Sequence, residues 1–176
     1  MEAKMKKTII FALLLMLFAQ AKGIKRFTHS VVDIAPKASL YIGEDAYFGI
    51  GAECVISPVK QIGIRLNIAE IIFGNGTYFY LNSGAWVLSG LSLDGLFYIP
   101  MTEIEPYVHG GLGFDIFDPP GPGDTQTFFS FRFGMGLNYS VNPKTKVFVE
   151  PGIIIYDAGN TETVFRLSFG ARFGIL

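Results

Sequence analysis

From Val32 to its end the chain alternates apolar residues with polar or small ones at a period of two, the signature of β-strands that bury or expose one greasy face. The last stretch is the clearest. Phe165, Leu167, Phe169, Ala171, Phe173 and Ile175 share one parity, and Arg166, Ser168, Gly170, Arg172 and Gly174 the other. Residues 129–141 repeat the design, with Phe129, Phe131, Phe133, Met135 and Leu137 set against Ser130, Arg132, Gly134, Gly136 and Asn138. The same spacing predicts strands over 32–42, 48–56, 62–68 and 105–116. In Trp86–Ile99 the parity changes between Leu88 and Leu91, which predicts a β-bulge near Ser89-Gly90. Residues 145–156 alternate least cleanly, because Phe148 and Ile154 fall on the side of Glu150 and Gly152, so the polar side of that strand has to accept apolar side chains.

The connections are of two kinds. Ser57-Pro58-Val59-Lys60, Pro100-Met101-Thr102-Glu103 and Val141-Asn142-Pro143-Lys144 read as tight turns, and Asp118–Thr125 as a longer Pro/Gly loop. Short and long connections alternate, which predicts about eight antiparallel strands in up-and-down order. A further strand within Thr77–Ala85 would move the count toward ten.

Lys4, Lys6 and Lys7 precede an unbroken apolar run from Ile9 to Phe18, followed by Ala19-Gln20-Ala21. This is the pattern of an export signal, with cleavage expected after Ala21. The run is about half of the roughly 20 residues that a membrane-spanning helix needs. The expected organisation is a signal peptide over 1–21 and one β-barrel domain over 22–176. Removing the signal takes three lysines and Glu2 from a total of 14 basic and 15 acidic residues, which leaves the remainder mildly acidic. No later stretch approaches a helical span, so a membrane-embedded chain would have to close a barrel. Only helices and closed barrels satisfy their backbone groups in lipid.

Composition agrees with an apolar environment: 16% of the residues are charged, against about 25% in soluble domains. The balanced charge offers no basic field for nucleic acid, and that class is excluded. Cys54, the single cysteine, lies on the apolar parity; it can form no intrachain disulfide or thiolate cluster and reads as a small apolar residue.

Which parity faces lipid is decided by the polar side. Asp33, Glu53, Asp94, Glu105, Asp115 and Glu150 lie there with Lys37, Arg65, Arg132, Arg166 and Arg172, interleaved with glycine and serine. The outer face of a soluble barrel would be rich in Lys and Glu and would seldom need so much glycine. A narrow eight-stranded interior has room only for packed side chains, and charges removed from water must be paired. The polar parity is therefore expected to form an internal ion-pair network and the apolar parity to meet lipid.

Taken together, these patterns resemble the OmpA/OmpX-like outer-membrane β-barrel family over essentially all of residues 22–176. Family members share a last strand carrying Gly, two spacers, an aromatic, one spacer and a hydrophobe, matched here by Gly170, Phe173 and Ile175. The segment Pro106–Gly113, Pro-Tyr-Val-x-Gly-Gly-x-Gly, is also similar to barrel domains of this group. The resemblance implies a transmembrane antiparallel up-and-down barrel in the bacterial outer membrane, surrounded by its lipid. It also implies assembly by the barrel-assembly machinery, which reads the last strand. A surface ligand or protein partner is left open.

Candidate chemistry is sparse. His109 lies on the polar parity near Glu105 and Asp115, and an outer-membrane acyltransferase or lipase would need Ser130 or Ser92 within its reach. No nucleophile motif accompanies it, so an interior histidine within the network is the preferred reading. Gly110-Gly111-x-Gly113 and Gly134-x-Gly136 look like phosphate loops but lie in strand patterns that open no helix. Glu44, Asp45, Asp118, Asp124 and Asp157 fall at predicted outer loops, where solvated acids are the simpler reading than a divalent-cation site. The expectation is a non-enzymatic structural or surface-interaction barrel without catalytic residues, metal, cofactor or wide pore. The alternatives are a lipid-modifying enzyme using His109, and a soluble lipocalin-like ligand-binding barrel with Arg132, Arg166 and Arg172 turned to water.

Overall fold

Strands with one apolar face can hide it inside a barrel or turn it outward, and the computed structural model settles the direction. It describes residues 30–43, 46–73, 75–76, 79–80, 86–99, 101, 104–118, 126–157 and 161–175. The signal segment and its cleavage point lie outside them, as do Glu44, Asp45 and Asp124. Ten strands form: β1 (Val32–Ile42), β2 (Ala46–Val59), β3 (Ile62–Phe73), β4 (Asn75–Gly76), β5 (Phe79–Tyr80), β6 (Trp86–Tyr98), β7 (Ile104–Asp118), β8 (Gln126–Asn142), β9 (Thr145–Asp157) and β10 (Thr161–Gly174). Eight of them close an antiparallel barrel in the order β1-β10-β9-β8-β7-β6-β3-β2. β4 and β5 pair only with each other. The barrel count is thus eight, and the stretch that could have raised it to ten contributes to a small hairpin between β3 and β6.

Two described turns are two residues long, Lys60-Gln61 and Pro143-Lys144. The first falls later than the alternation predicts. β2 continues through Val59 because the Ser57 N–H still donates to the Val31 carbonyl at 2.8 Å, so the ladder outlasts the apolar pattern. Of the turn expected at 100–103 only Met101 is described, and residues 119–125 of the longer loop are not described.

The bulge expected near Ser89-Gly90 is present: β6 and β7 shift register between Leu88 and Leu91. A second shift lies at the same height in β3, where Ala52 pairs with Ala69 but Glu53 pairs with Asn67. Ile68 is the extra residue, and beyond it the inward parity passes from odd to even. Glu70 therefore points inward although Arg65 and Asn67 also do.

Two strand prolines interrupt the ladders. β1 pairs with β10 at Ile34↔Phe173 and again at Lys37↔Gly170, with the pairs at Ala35 and Pro36 missing. β9 pairs with β8 at Val149↔Leu137 and Gly152↔Gly134, skipping Glu150 and Pro151. Proline has no N–H to give. The ladder between β9 and β10 is unbroken from Thr145↔Phe173 to Asp157↔Thr161.

The apolar parity faces outward. Ile50, Leu93, Val108, Phe133, Met135 and Phe169 are all exposed, whereas Arg65, Arg132, Arg166 and Arg172 are at most 1% exposed. Asp157, at the end of β9, is the one charged side chain described among the outward strand positions. On β10 the outward apolar residues run from Phe165 to Ile175. At about 3.3 Å per residue and a tilt near 40°, that is a belt of roughly 25 Å, the height of an outer-membrane apolar band. An inside-out, lipocalin-like arrangement is thereby ruled out.

This geometry predicts a depth-dependent cost of charge on the outer face. Phe169→Arg, near the middle of the belt, should destabilise the folded barrel in lipid vesicles by about 2–4 kcal/mol, and Thr161→Arg, at its end, by about 0–1 kcal/mol. Urea titration of vesicle-bound protein measures both, and equal costs would refute the lipid-facing assignment.

Candidate functional site

The only place where polar chemistry concentrates in the described structure is the barrel interior. Alternation fixes which side chains enter it, and a glycine across the ladder gives the largest of them room. Tyr107 pairs with Gly136 and His109 with Gly134. A Cβ at Gly136 would collide with the Tyr107 ring, and one at Gly134 with His109 Nε2. Gly113 makes similar room for Arg132, whose Nε would lie 2.6 Å from an added Cβ. The Gly-x-Gly runs are therefore packing devices at close approaches, not phosphate loops.

At the centre, three arginines meet three carboxylates. Glu150 of β9 receives Arg166 Nη2 at 2.8 Å and the Tyr107 hydroxyl at 2.8 Å, and it pairs with Arg65 Nη1. Arg65 of β3 also donates to Asp94 through Nε at 2.8 Å and lies 3.5 Å from Glu53. Arg172 of β10 donates to Glu53 Oε1 through Nε at 3.1 Å and Nη2 at 2.9 Å. Its guanidinium also lies 4.5 Å from the centroid of Phe148 and 4.8 Å from that of Tyr107. Phe148, the apolar intruder of β9, is thus accommodated as a cation–π partner.

Two further pairs flank the centre. Lys37 donates to Asn67 Oδ1 at 2.7 Å and sits 3.3 Å from Glu70. Lys146 is 2.7 Å from Glu105, which also accepts from Asn138 Nδ2 at 2.9 Å. Arg132 donates to Ser130 at 3.3 Å towards the loop end, and Asp33 is buried at the turn end opposite Gly174 and Val55. Asp115 lies in β7 across from Phe128; its side chain is outside the described ones. Glu70, Lys146, Asn67 and Asn138 were not among the expected network residues. The parity of Asn138 and the flip from Ile68 to Ile71 were the signals that could have found Asn138 and Glu70.

Clusters of buried aliphatic and tyrosine side chains flank the charged centre on both sides. Val55, Leu96, Tyr98 and Tyr107 cluster on the side of the 60–61 turn, and Tyr41, Tyr47 and Ile154 on the side of the 43–45 and 158–160 connections. Charges buried together in this way are strongly coupled, so removing one partner costs more than the pair itself contributes.

The residues of the enzyme alternative are not brought together. His109 Nδ1 is 3.1 Å from Arg65 Nη2, and its Nε2 is 3.2 Å from Glu150 Oε1. Ser92 instead accepts from Asn67 Nδ2, and Ser130 from Arg132. Among the described residues no group of three His, Cys, Asp or Glu side chains could hold a metal ion. In the last strand, Phe173 and Ile175 are exposed on the outer face. Gly170 lies where a Cβ would strike the Pro36 carbonyl and come within 2.9 Å of Phe148, so packing alone requires glycine there.

No protein-family model matches the chain, and no curated protein matches it in sequence. Solved structures do match it. The Neisserial surface protein A (NspA) superposes with a TM-score of 0.57 at 12% identity, over 82% of this chain and 96% of that one. The N-terminal β-barrel domain of Pseudomonas aeruginosa OprF gives 0.53 at 14% identity, over 80% and 97%. A major outer membrane protein from Thermus thermophilus gives 0.50 at 14% identity, over 81% and 98%. The chain has the fold of the small eight-stranded outer-membrane barrels.

The interior predicts a steep response at Glu150. Glu150→Ala leaves Arg65, Arg166 and Tyr107 without their shared acceptor and should cost about 3–5 kcal/mol, whereas Glu105→Ala, at the partly exposed turn end, should cost about 1 kcal/mol or less. Urea titration of the vesicle-bound protein distinguishes them.

Proposed function

We propose that this protein is a non-enzymatic barrel of the bacterial outer membrane with a structural or surface-interaction role and no open pore. The observation that supports this reading is the pairing of an outer belt without charged side chains among the described residues with an interior of buried ion pairs flanked by apolar clusters. The belt is matched to outer-membrane lipid, and no such belt is of use to a protein in water. Eight strands enclose only about the volume that side chains occupy, which favours an interior without room for a solute. His109 has Arg65 and Glu150 as neighbours and no serine, which favours a place in the network over nucleophile activation. In this reading the N-terminal segment is an export signal cleaved after Ala21. Gly170, Phe173 and Ile175 are presented to the barrel-assembly machinery, and any ligand or partner protein is met by the loops.

Fractionation tests this reading. The expressed full chain should appear in the outer-membrane fraction, shortened by its signal, and should migrate faster on a detergent gel unheated than after boiling. Pure protein in a planar bilayer at neutral pH should carry no steady current. A soluble periplasmic product without a heat-dependent shift, or a porin-like current, would overturn it.

A further inference from the structure

The two ring nitrogens of His109 face groups of opposite kind. Nδ1 lies 3.1 Å from Arg65 Nη2, and a guanidinium nitrogen can only donate, so Nδ1 must accept. The imidazole proton then resides on Nε2, which lies 3.2 Å from Glu150 Oε1. The site thus fits one neutral tautomer. A second proton would place an N–H of a cation against the Arg65 N–H, inside a layer where His109 is 6% exposed.

The other strands around the ring do not relieve this. β3 presents Arg65, β6 presents Asp94, β9 presents Glu150, and β10 presents Arg166, which already shares Glu150 Oε1. β8, beside it, offers Gly134 directly opposite and Arg132 one inward position further on. On its own strand the nearest inward neighbour is Tyr107, whose hydroxyl also donates to Glu150. Both carboxylates are thus engaged by Arg65: both oxygens of Glu150 are taken by Arg65, Arg166 and Tyr107, while Asp94 meets Arg65 through Oδ2 and keeps only Oδ1 without a hydrogen-bond partner.

We propose that His109 makes the interior plug acid-labile: protonation of its ring ejects it from the Arg65 contact and unlocks the bridge between β3 and β9. Arg65 joins strands on opposite sides of the lumen, so its release loosens the centre while the backbone ladders stay closed. The barrel becomes leaky to small ions in acid and reseals at neutral pH. The proposal rests on the reading of the interior as closed at neutral pH.

The neutral form is the one that fits, so stability tied to it is present at neutral pH and declines as pH falls through the titration of the ring. His109→Gln tests this, because a carboxamide can accept from Arg65 and donate to Glu150 at any pH. Full-length mature protein and the variant are reconstituted, and bilayer current and the temperature of the folded-to-unfolded gel shift are recorded from about pH 7.5 to 4.5, a range that brackets free imidazole. The wild type should show a reversible rise in current and lose roughly 5 °C more than the variant. The same acid step in His109→Gln would refute the proposal. The chain has two histidines, so the ¹⁵N spectrum of a His29→Asn variant isolates His109 if His109→Gln fails to fold. An Nε2–H neutral ring at pH 7.5 that protonates as the current rises supports the proposal, and a ring that stays neutral to pH 4.5 overturns it. A steady wild-type current already at pH 7.5 would instead sink the closed-interior reading, whatever the acid response.

Discussion

A strand in hydrocarbon cannot leave backbone N–H and C=O groups unpaired, so β1 must find β10, and the rest of the structure follows from that closure. Eight strands set a narrow circumference, and a narrow circumference leaves a lumen that must be filled by the inward side chains themselves. Alternation then puts every aromatic and aliphatic residue that cannot be accommodated inside onto the outer wall, where lipid accepts it.

Filling such a lumen with polar groups raises a problem that a hydrocarbon core does not have, because each charge leaves water and needs a partner at hydrogen-bonding distance. The structure meets it both between neighbouring strands, as in Arg65–Asp94, and across the lumen. Glu150 gathers groups from β3, β7 and β10, and Arg172 reaches past Ala35 to Glu53. Glycine is the steric counterpart of this network. Where Tyr107 or His109 leans across the ladder, the facing position on β8 has no side chain. Substituting valine for Gly136 would press on Tyr107, and through its hydroxyl on Glu150, so a backbone detail of β8 bears on an ion pair between β3 and β9.

The parity of the strands, the bulge at Ser89-Gly90 and the direction of the apolar face could be read from the residues because each is a local pattern. Phe148 and Ile154 were readable as inward for the same reason. The interior partners were not. Arg65 and Glu150 lie 85 positions apart, and which of the carboxylates an inward arginine meets depends on strand stagger and on reach across the lumen. The second bulge, at Ile68, is not legible because the clean alternation of β3 ends at that residue and Glu70 lies just past it. The turn lies at Lys60-Gln61, later than Pro58 suggests, because Pro58 faces outward and Val59 beyond it still pairs with Ile62.

Two of the four strand prolines, Pro36 and Pro151, divide the barrel unequally. Pro36 and Pro151 each sit where two successive pairs are missing, the first in the seam between β1 and β10 and the second in the seam between β8 and β9, while the ladder joining β9 to β10 is complete. The last hairpin is therefore a coherent piece bordered on both flanks by a weakened seam. That hairpin also carries Glu150 and Arg172, which fasten it to Arg65 of β3 and Glu53 of β2 where its edges are short of main-chain bonds. In mechanical terms it resembles a keystone, a coherent body seated between two interrupted seams.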